Sequence, residues 1–271
     1  MPEWLFDFLS GPTIKIAEAI WNSSMRLIIK LVCSTPQKFS TGTWAFVKEN
    51  LYPWAEGIGL SALNLFFMIA FLKAVSNLHQ NITLEMVIEA MIKVVVANVL
   101  YLNILTTVFS ISSAMAKEVF TLDAPELKVE DMDIGSALFY QLFGLLFILA
   151  AIVCSFLMLW TVYSRYIKLY LLMILAPFAM STLVGGQEIE RSFYAWMRTF
   201  LLNAFEIVVI ALTMVISFKL IGAGISLFDG KNIVTSMVDG FWDALNSLFT
   251  MILVTAAVKG SNAFLSKAMG L

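Results

Sequence analysis

Charge is scarce in this sequence. Of its 271 residues only 13% are Asp, Glu, Lys or Arg, while 60% are hydrophobic and the mean hydropathy is +0.88. Soluble domains carry about 25% charged residues, so this composition points to a polytopic membrane protein in which the count of spans matters more than the count of domains. The net charge of -2 gives no overall basic field of the kind that draws in nucleic acid. Histidine occurs once, as His79 in a polar turn without an HExxH context, which argues against a zinc hydrolase. The two cysteines, Cys33 and Cys154, lie far apart in apolar surroundings with no CxxC, so neither a disulfide framework nor a metal site is expected. GxxxxGK[ST] and GxGxxG loops are missing, and no serine sits in a nucleophile elbow. An enzyme is not expected, nor a cofactor. The opening "MPEWLFDFLSG" has Glu3 and Asp7 where a signal peptide is basic, so insertion is expected to rely on internal spans.

What is present is a series of helical apolar runs. From Ile14 to Val32 the pattern is two-faced: Lys15, Glu18, Asn22, Arg26 and Lys30 recur on one side, and Ile14, Ala17, Trp21, Ile28 and Val32 on the other. That is an amphipathic helix, suited to the membrane interface or to packing on protein. Residues 1–50 are taken as this amino-terminal region and 51–271 as the polytopic domain. The first span is Trp54–Val75, with Trp44, Tyr52 and Trp54 as interfacial anchors. A polar turn then leads to Glu85, Glu89 and Lys93 on one helical face and on to a second span that runs to about Ala116 with Asn98 and Asn103 at its centre, and an acidic loop (Asp123, Glu126, Glu130, Asp131, Asp133) follows. The third is expected over Ser136–Tyr163, another over Thr199–Leu220, and the last over "FWDALNSLFTMILVTAAV".

Between the third span and Thr199 lies "YLLMILAPFAMSTLVGG". The 16 residues from Leu169 to Val184 fall just under the ~17–25 that a spanning helix needs. Pro177 removes a helix hydrogen bond and crowds the carbonyl four residues before it. The expectation is therefore a re-entrant or broken helix, hinged at Pro177, Gly185 and Gly186, rather than a short tilted span. The fold expected is all-α: five transmembrane helices, one broken helix and the amino-terminal amphipathic helix. With five spans, eight basic and four acidic residues fall on one side, against four basic and nine acidic on the other, leaving aside the amino-terminal region. The positive-inside rule then puts the carboxyl terminus in the cytoplasm and the amino terminus outside.

Polar groups inside the spans are the candidates for function. Glu206 is the least expected, because a carboxylate at mid-bilayer costs on the order of 2.5 kcal/mol or more. Glu206, Asn203 and Asn98 are candidates for a conduit or a subunit contact, against the plainer reading of hydrogen bonds between helices. Arg165, Lys168, Arg191 and Arg198 form a candidate cytoplasmic rim for docking a soluble ATPase or other acidic partner.

The order of "LYPWAEGIGLSALNLFFMIAFLKAVSNLHQNITLEMVIEAMIKVVVANVL" and "YSRYIKLYLLMILAPFAMSTLVGGQEIERSFYAWMRTFLLNAFEIVVIAL" resembles the TrbL/VirB-six proteins, polytopic subunits of conjugative type IV secretion machines. The likeness covers roughly Leu51 to Leu220. Its most specific part is an aromatic and basic approach, an apolar stretch ending in "APFA", small residues, a charged turn, a tryptophan and a further span. The resemblance implies a component of the bacterial cytoplasmic (inner) membrane that helps single-stranded DNA and attached protein across. Its partners would be membrane lipid, further copies of itself, a VirB-four-like ATPase and a small VirB-three-like membrane subunit. The loop between spans two and three is shorter than the large extracytoplasmic domain of better-known members, as in trimmed versions on Gram-positive conjugative elements. The alternative is a stand-alone small-solute transporter or ion channel with Glu206 and the broken segment at a midplane site. Such transporters often carry inverted repeats, and only one broken segment and no repeat is found.

Overall fold

The computed structural model describes residues 12–76, 84–122, 134–184, 187–222 and 233–268, together with Gly270. Among these there is no strand. The chain folds as α1 (Pro12–Val32), α2 (Pro36–Phe39), α3 (Thr41–Phe46), a π turn (Val47–Leu51), α4 (Tyr52–Ser76), α5 (Leu84–Leu122), α6 (Ile134–Ser181), a 3-10 turn (Thr182–Val184), α7 (Gln187–Gly222) and α8 (Ile233–Ala268). Among the described residues, four helical stretches are long and apolar enough to cross a membrane: Thr41–Leu72, Phe143–Val184, Ile189–Leu220 and Leu245–Ala268. His79, the acidic loop, Gly185 and Gly186 lie outside the described residues, as does the side chain of Asn98.

Proline sets several of the boundaries. Pro12 opens α1 and Pro36 opens α2, where a missing N–H costs nothing because no helical acceptor exists for it. Thr35, ahead of Pro36, is extended (φ -78, ψ 156), as the proline ring requires. Ser40 then caps α3, its Oγ accepting from the Thr43 N–H at 3.3 Å. The π turn stands directly before Pro53, and the Tyr52 N–H reaches back five residues to Val47 O. The wider turn gives room where the Pro53 ring would press on the Glu49 carbonyl.

On α1 the buried residues are Ala17, Trp21, Met25, Ile28 and Val32, spaced three or four apart, while Lys15, Arg26 and Lys30 are exposed. Cys33 follows, half-buried. Burial pushes its thiol above the ordinary range, and Lys117 pulls the other way with the smaller effect. Only the thiolate attacks an alkylating reagent, so a raised pKa leaves less of it at any given pH. Alkylation of Cys33 in a Cys154→Ala background should be slower than that of a free thiol at pH 8. Its rate against pH should reach half-maximum at higher pH, which stopped-time mass spectrometry would measure.

The chain gathers into two compact units. One comprises Met1–Cys33, Met115–Tyr163 and Glu206–Leu271; the other comprises Ser34–Ala114 and Ser164–Phe205. The first is cored by residues such as Trp21, Phe147, Met158, Met214 and Val254, the second by Tyr101, Phe109, Tyr166, Met173 and Phe200.

The expected break at Pro177 does not occur. α6 is one helix of 48 residues that continues past Tyr163, where a span was expected to end, and through Pro177 to Ser181. At 1.5 Å per residue it is about 72 Å long, more than twice a ~30 Å hydrocarbon core. The chain turns back only after Val184. Likewise α7 begins at Gln187 rather than Thr199, because "QEIERSFYAWMR" is helical: Trp196 and Phe200 are buried on one side, and Arg191, Tyr194 and Arg198 are exposed on the other.

Candidate functional site

The candidate site lies in the unit formed by 34–114 and 164–205. There α6 and α7 form an antiparallel hairpin. Arg165 on α6 reaches the carbonyls of Asn203 and Ala204 on α7, and Trp196 on α7 reaches the carbonyl of Leu172 on α6. Both pairings fit one register, with the turn centred near Val184.

Pro177 stands in the last turns of α6. Its missing N–H leaves the carbonyl of Met173, four residues back, without a helical donor. That carbonyl instead accepts the Tyr101 hydroxyl of α5 at 2.6 Å. The neighbouring Leu172 carbonyl accepts the Trp196 indole N–H at 3.1 Å. The polar side chains nearby on the same hairpin are engaged elsewhere. Ser181 and Thr182 donate to the terminal carbonyls of Phe178 and Ala179, and the Asn203 amide donates to Thr199 O. Tyr101 stacks on Tyr52 of α4 (ring centroids 5.5 Å apart), and Trp196 stacks on Phe200 (5.7 Å). The two donors are therefore held in place by aromatic contacts.

Helix α4 approaches the same proline at a single glycine. A Cβ on Gly59 would lie 2.9 Å from the carbonyl carbon, Cβ and oxygen of Pro177, whereas a Cβ on Gly57 would meet nothing within 4 Å. A cleft of about 10 Å³, room for one water, lies beside this contact among Glu56, Gly59, Leu63, Pro177 and Ser181. Alanine raises helix propensity over glycine by up to about 1 kcal/mol, while overpacking costs about 1–3 kcal/mol. Gly57→Ala should thus raise the melting temperature in detergent slightly, and Gly59→Ala should lower it, a difference in sign between neighbours on one helix.

Arg165 is only 2% exposed and is not part of a rim. Its Nε donates to Asn203 O at 3.0 Å, its NH2 group donates to Ala204 O at 3.2 Å, and the guanidinium lies 5.2 Å from the Tyr166 ring centroid. The register of the hairpin turns this side chain toward α7, where helix carbonyls solvate it. Tyr166 in turn donates to Ser34 O (2.6 Å) and stacks on Phe39, and Tyr170, one turn later, donates to Pro36 O (2.7 Å). Two tyrosines on α6 therefore hold down the segment between α1 and α3. Lys168, Arg191 and Arg198 are exposed. Lys168 and Arg198 stand at about the same level of the hairpin, and Arg191 is seven residues, about 10 Å, nearer its tip. Asn203 (5% exposed) and Glu206 (2%) are buried among the chain's own helices. Asn203 Oδ1 and Glu206 Oε2 have no hydrogen-bond partner among the described residues. Neither residue is offered to a second subunit.

Sequence reasoning missed Tyr101, Trp196 and Gly59. A signal for the first two was present, since a proline inside an apolar helix calls for a side-chain donor from a neighbouring helix. No family model, no curated protein and no solved structure matches the chain.

Proposed function

We propose that this chain is a non-enzymatic subunit of a conjugative type IV secretion machine in the bacterial cytoplasmic membrane. In this reading it serves as channel wall or scaffold for the passage of single-stranded DNA with attached protein, with the amino terminus outside and the carboxyl terminus in the cytoplasm. Five helices cross, α5 among them, and α1 lies in the interface. The observation that carries the reading is the outward face of α5. Asn103, Thr107, Ser110 and Ala114, spaced four, three and four apart, are all exposed and form a stripe of polar and small residues beside the exposed Ile104, Ile111 and Met115, whereas α6 presents Leu145, Leu149, Phe156, Leu171 and Leu175. Thr107 and Ser110 satisfy their hydroxyls on their own helix, at Asn103 O and Thr106 O. The stripe is therefore wettable without being sticky, which suits a surface past which a polar polymer moves. Lys168, Arg191 and Arg198 remain exposed for a VirB-four-like ATPase, and the sequence resemblance supplies the machine. The water-sized cleft beside Pro177 and the unbroken α6 do not favour the alternative of a small-solute transporter.

The test is deletion of the gene from a donor cell and complementation in trans. Loss of DNA transfer, restored by the wild-type gene, supports the proposal. Transfer at wild-type frequency with loss of a solute uptake activity overturns it in favour of the transporter. Single cysteines at positions 131 and 187, in a background lacking Cys33 and Cys154, should react with an impermeant thiol reagent from outside and only from the cytoplasm, respectively.

A further inference from the structure

Helix α4 is apolar over most of its circumference, and in Thr41–Leu72 only 11% of the most apolar window is buried by the rest of the chain. Its inward side is Tyr52, Ala55, Gly59 and Phe66, the last with its ring 6.2 Å from that of Phe178. Its outward side carries an amide that lipid cannot accommodate. Asn64 is exposed at the midpoint of α4, 12 residues from Tyr52 and 12 from Ser76. It therefore lies about 18 Å along the axis from either end, beyond reach of the headgroups. Lipid tails offer an amide neither donor nor acceptor. Around Asn64 the exposed neighbours are Leu60, Ser61, Leu65 and Met68, and the Ser61 hydroxyl is taken up by its own helix, whereas Asn103 shares its stripe with both Thr107 and Ser110.

We infer that Asn64 is the centre of a seam through which α4 pairs with α4 of a second copy of this chain. Gly57, Ser61, Asn64, Met68 and Phe71 are all exposed and are spaced four, three, four and three apart. That is the a/d repeat of a left-handed helix pair, in which a single polar residue sets the register. Two copies in one membrane share one orientation, so their α4 helices pair in parallel and identical residues meet at each level. At the central level an amide, being both donor and acceptor, satisfies its own copy. Small residues at the Gly57 end allow close approach: a Cβ there would meet nothing within 4 Å, and the Ser61 hydroxyl is already bonded to Gly57 O at 3.0 Å. The occupant is a second copy rather than a different helix because the seam is complementary to itself. The inference rests on α4 crossing the membrane, not on what the machine transports.

The test uses the full chain in native membranes, lacking Cys33 and Cys154, with single cysteines on α4. Oxidation should cross-link Ser61→Cys and Met68→Cys into a dimer and leave Ile58→Cys and Leu65→Cys, exposed but off the seam, monomeric. Asn64→Leu combined with Ser61→Cys should weaken association roughly threefold to twentyfold, the range for interhelical polar contacts. Equal cross-linking at all four positions, an unchanged dimer with Asn64→Leu, or a Ser61→Cys adduct to a different protein would each overturn the inference. Extraction of the protein by alkaline carbonate would instead remove the membrane reading beneath it. DNA transfer retained by Asn64→Leu cells that no longer form dimer would leave the proposed function standing.

Discussion

Arg165→Glu should prevent the protein from accumulating in folded form, while Lys168→Glu, three residues along the same helix, should leave it intact. The two positions differ in what surrounds the charge. Arg165 is buried with its guanidinium on two carbonyl oxygens at 3.0 and 3.2 Å, and Lys168 is exposed. A carboxylate at position 165 would be turned toward the two carbonyl oxygens that now accept from the guanidinium. An uncompensated buried charge costs about 3–5 kcal/mol, a large share of the 5–15 kcal/mol by which a typical domain is stable. Arg165→Met should be much milder. It keeps the length of the side chain, and the Asn203 and Ala204 carbonyls retain their own helical N–H donors. The measurement is the monodisperse yield and melting temperature of the four proteins in detergent. Equal yields of Arg165→Glu and Lys168→Glu would show that Arg165 is as exposed as its neighbour, and failure of Arg165→Met alongside Arg165→Glu would assign the effect to shape rather than charge.

The contrast between Arg165 and Lys168 marks where the sequence is legible and where it is not. The helices of this chain are read from local signals: an apolar run expected over Trp54–Val75 is observed as Tyr52–Ser76, and one expected from Ser136 begins at Ile134. Those ends are set by residues next to them, by Pro53 and by the change of composition at the acidic loop. The direction in which a charge points is set by the neighbouring helix and its register. Arg165 therefore looks like the end of a span in sequence, and its solvation depends on Asn203 and Ala204, 38 and 39 residues away. Pro177 misleads for the same reason. As a local signal it breaks a helix, but its unpaired carbonyl is satisfied from α5, 72 residues away. The segment from Gln187 to Arg198 was legible and was obscured by its charges, since Phe193, Trp196 and Phe200 already mark a helical stripe.

Tyr101→Phe should destabilise the protein by about 1–3 kcal/mol, the cost of leaving a buried acceptor unsatisfied, and most of that loss should disappear in a Pro177→Ala background. Phenylalanine keeps the ring that stacks on Tyr52, so the substitution removes the hydroxyl and little else. With Pro177 in place, the Met173 carbonyl has the Tyr101 hydroxyl and no helical N–H. With alanine at 177 the helix supplies its own donor to Met173, and the hydroxyl becomes redundant. The two substitutions should therefore couple by about 1 kcal/mol or more in a double-mutant cycle, measured by unfolding in detergent. Trp196→Phe provides the control. The Leu172 carbonyl that its indole meets retains a helical donor in the N–H of Ala176, so its cost should be the same whether residue 177 is proline or alanine. If Tyr101→Phe cost as much with alanine at 177 as with proline, the hydroxyl would not be standing in for the missing N–H. The continuity of α6 through Pro177 would then have to come from packing against Gly59 alone.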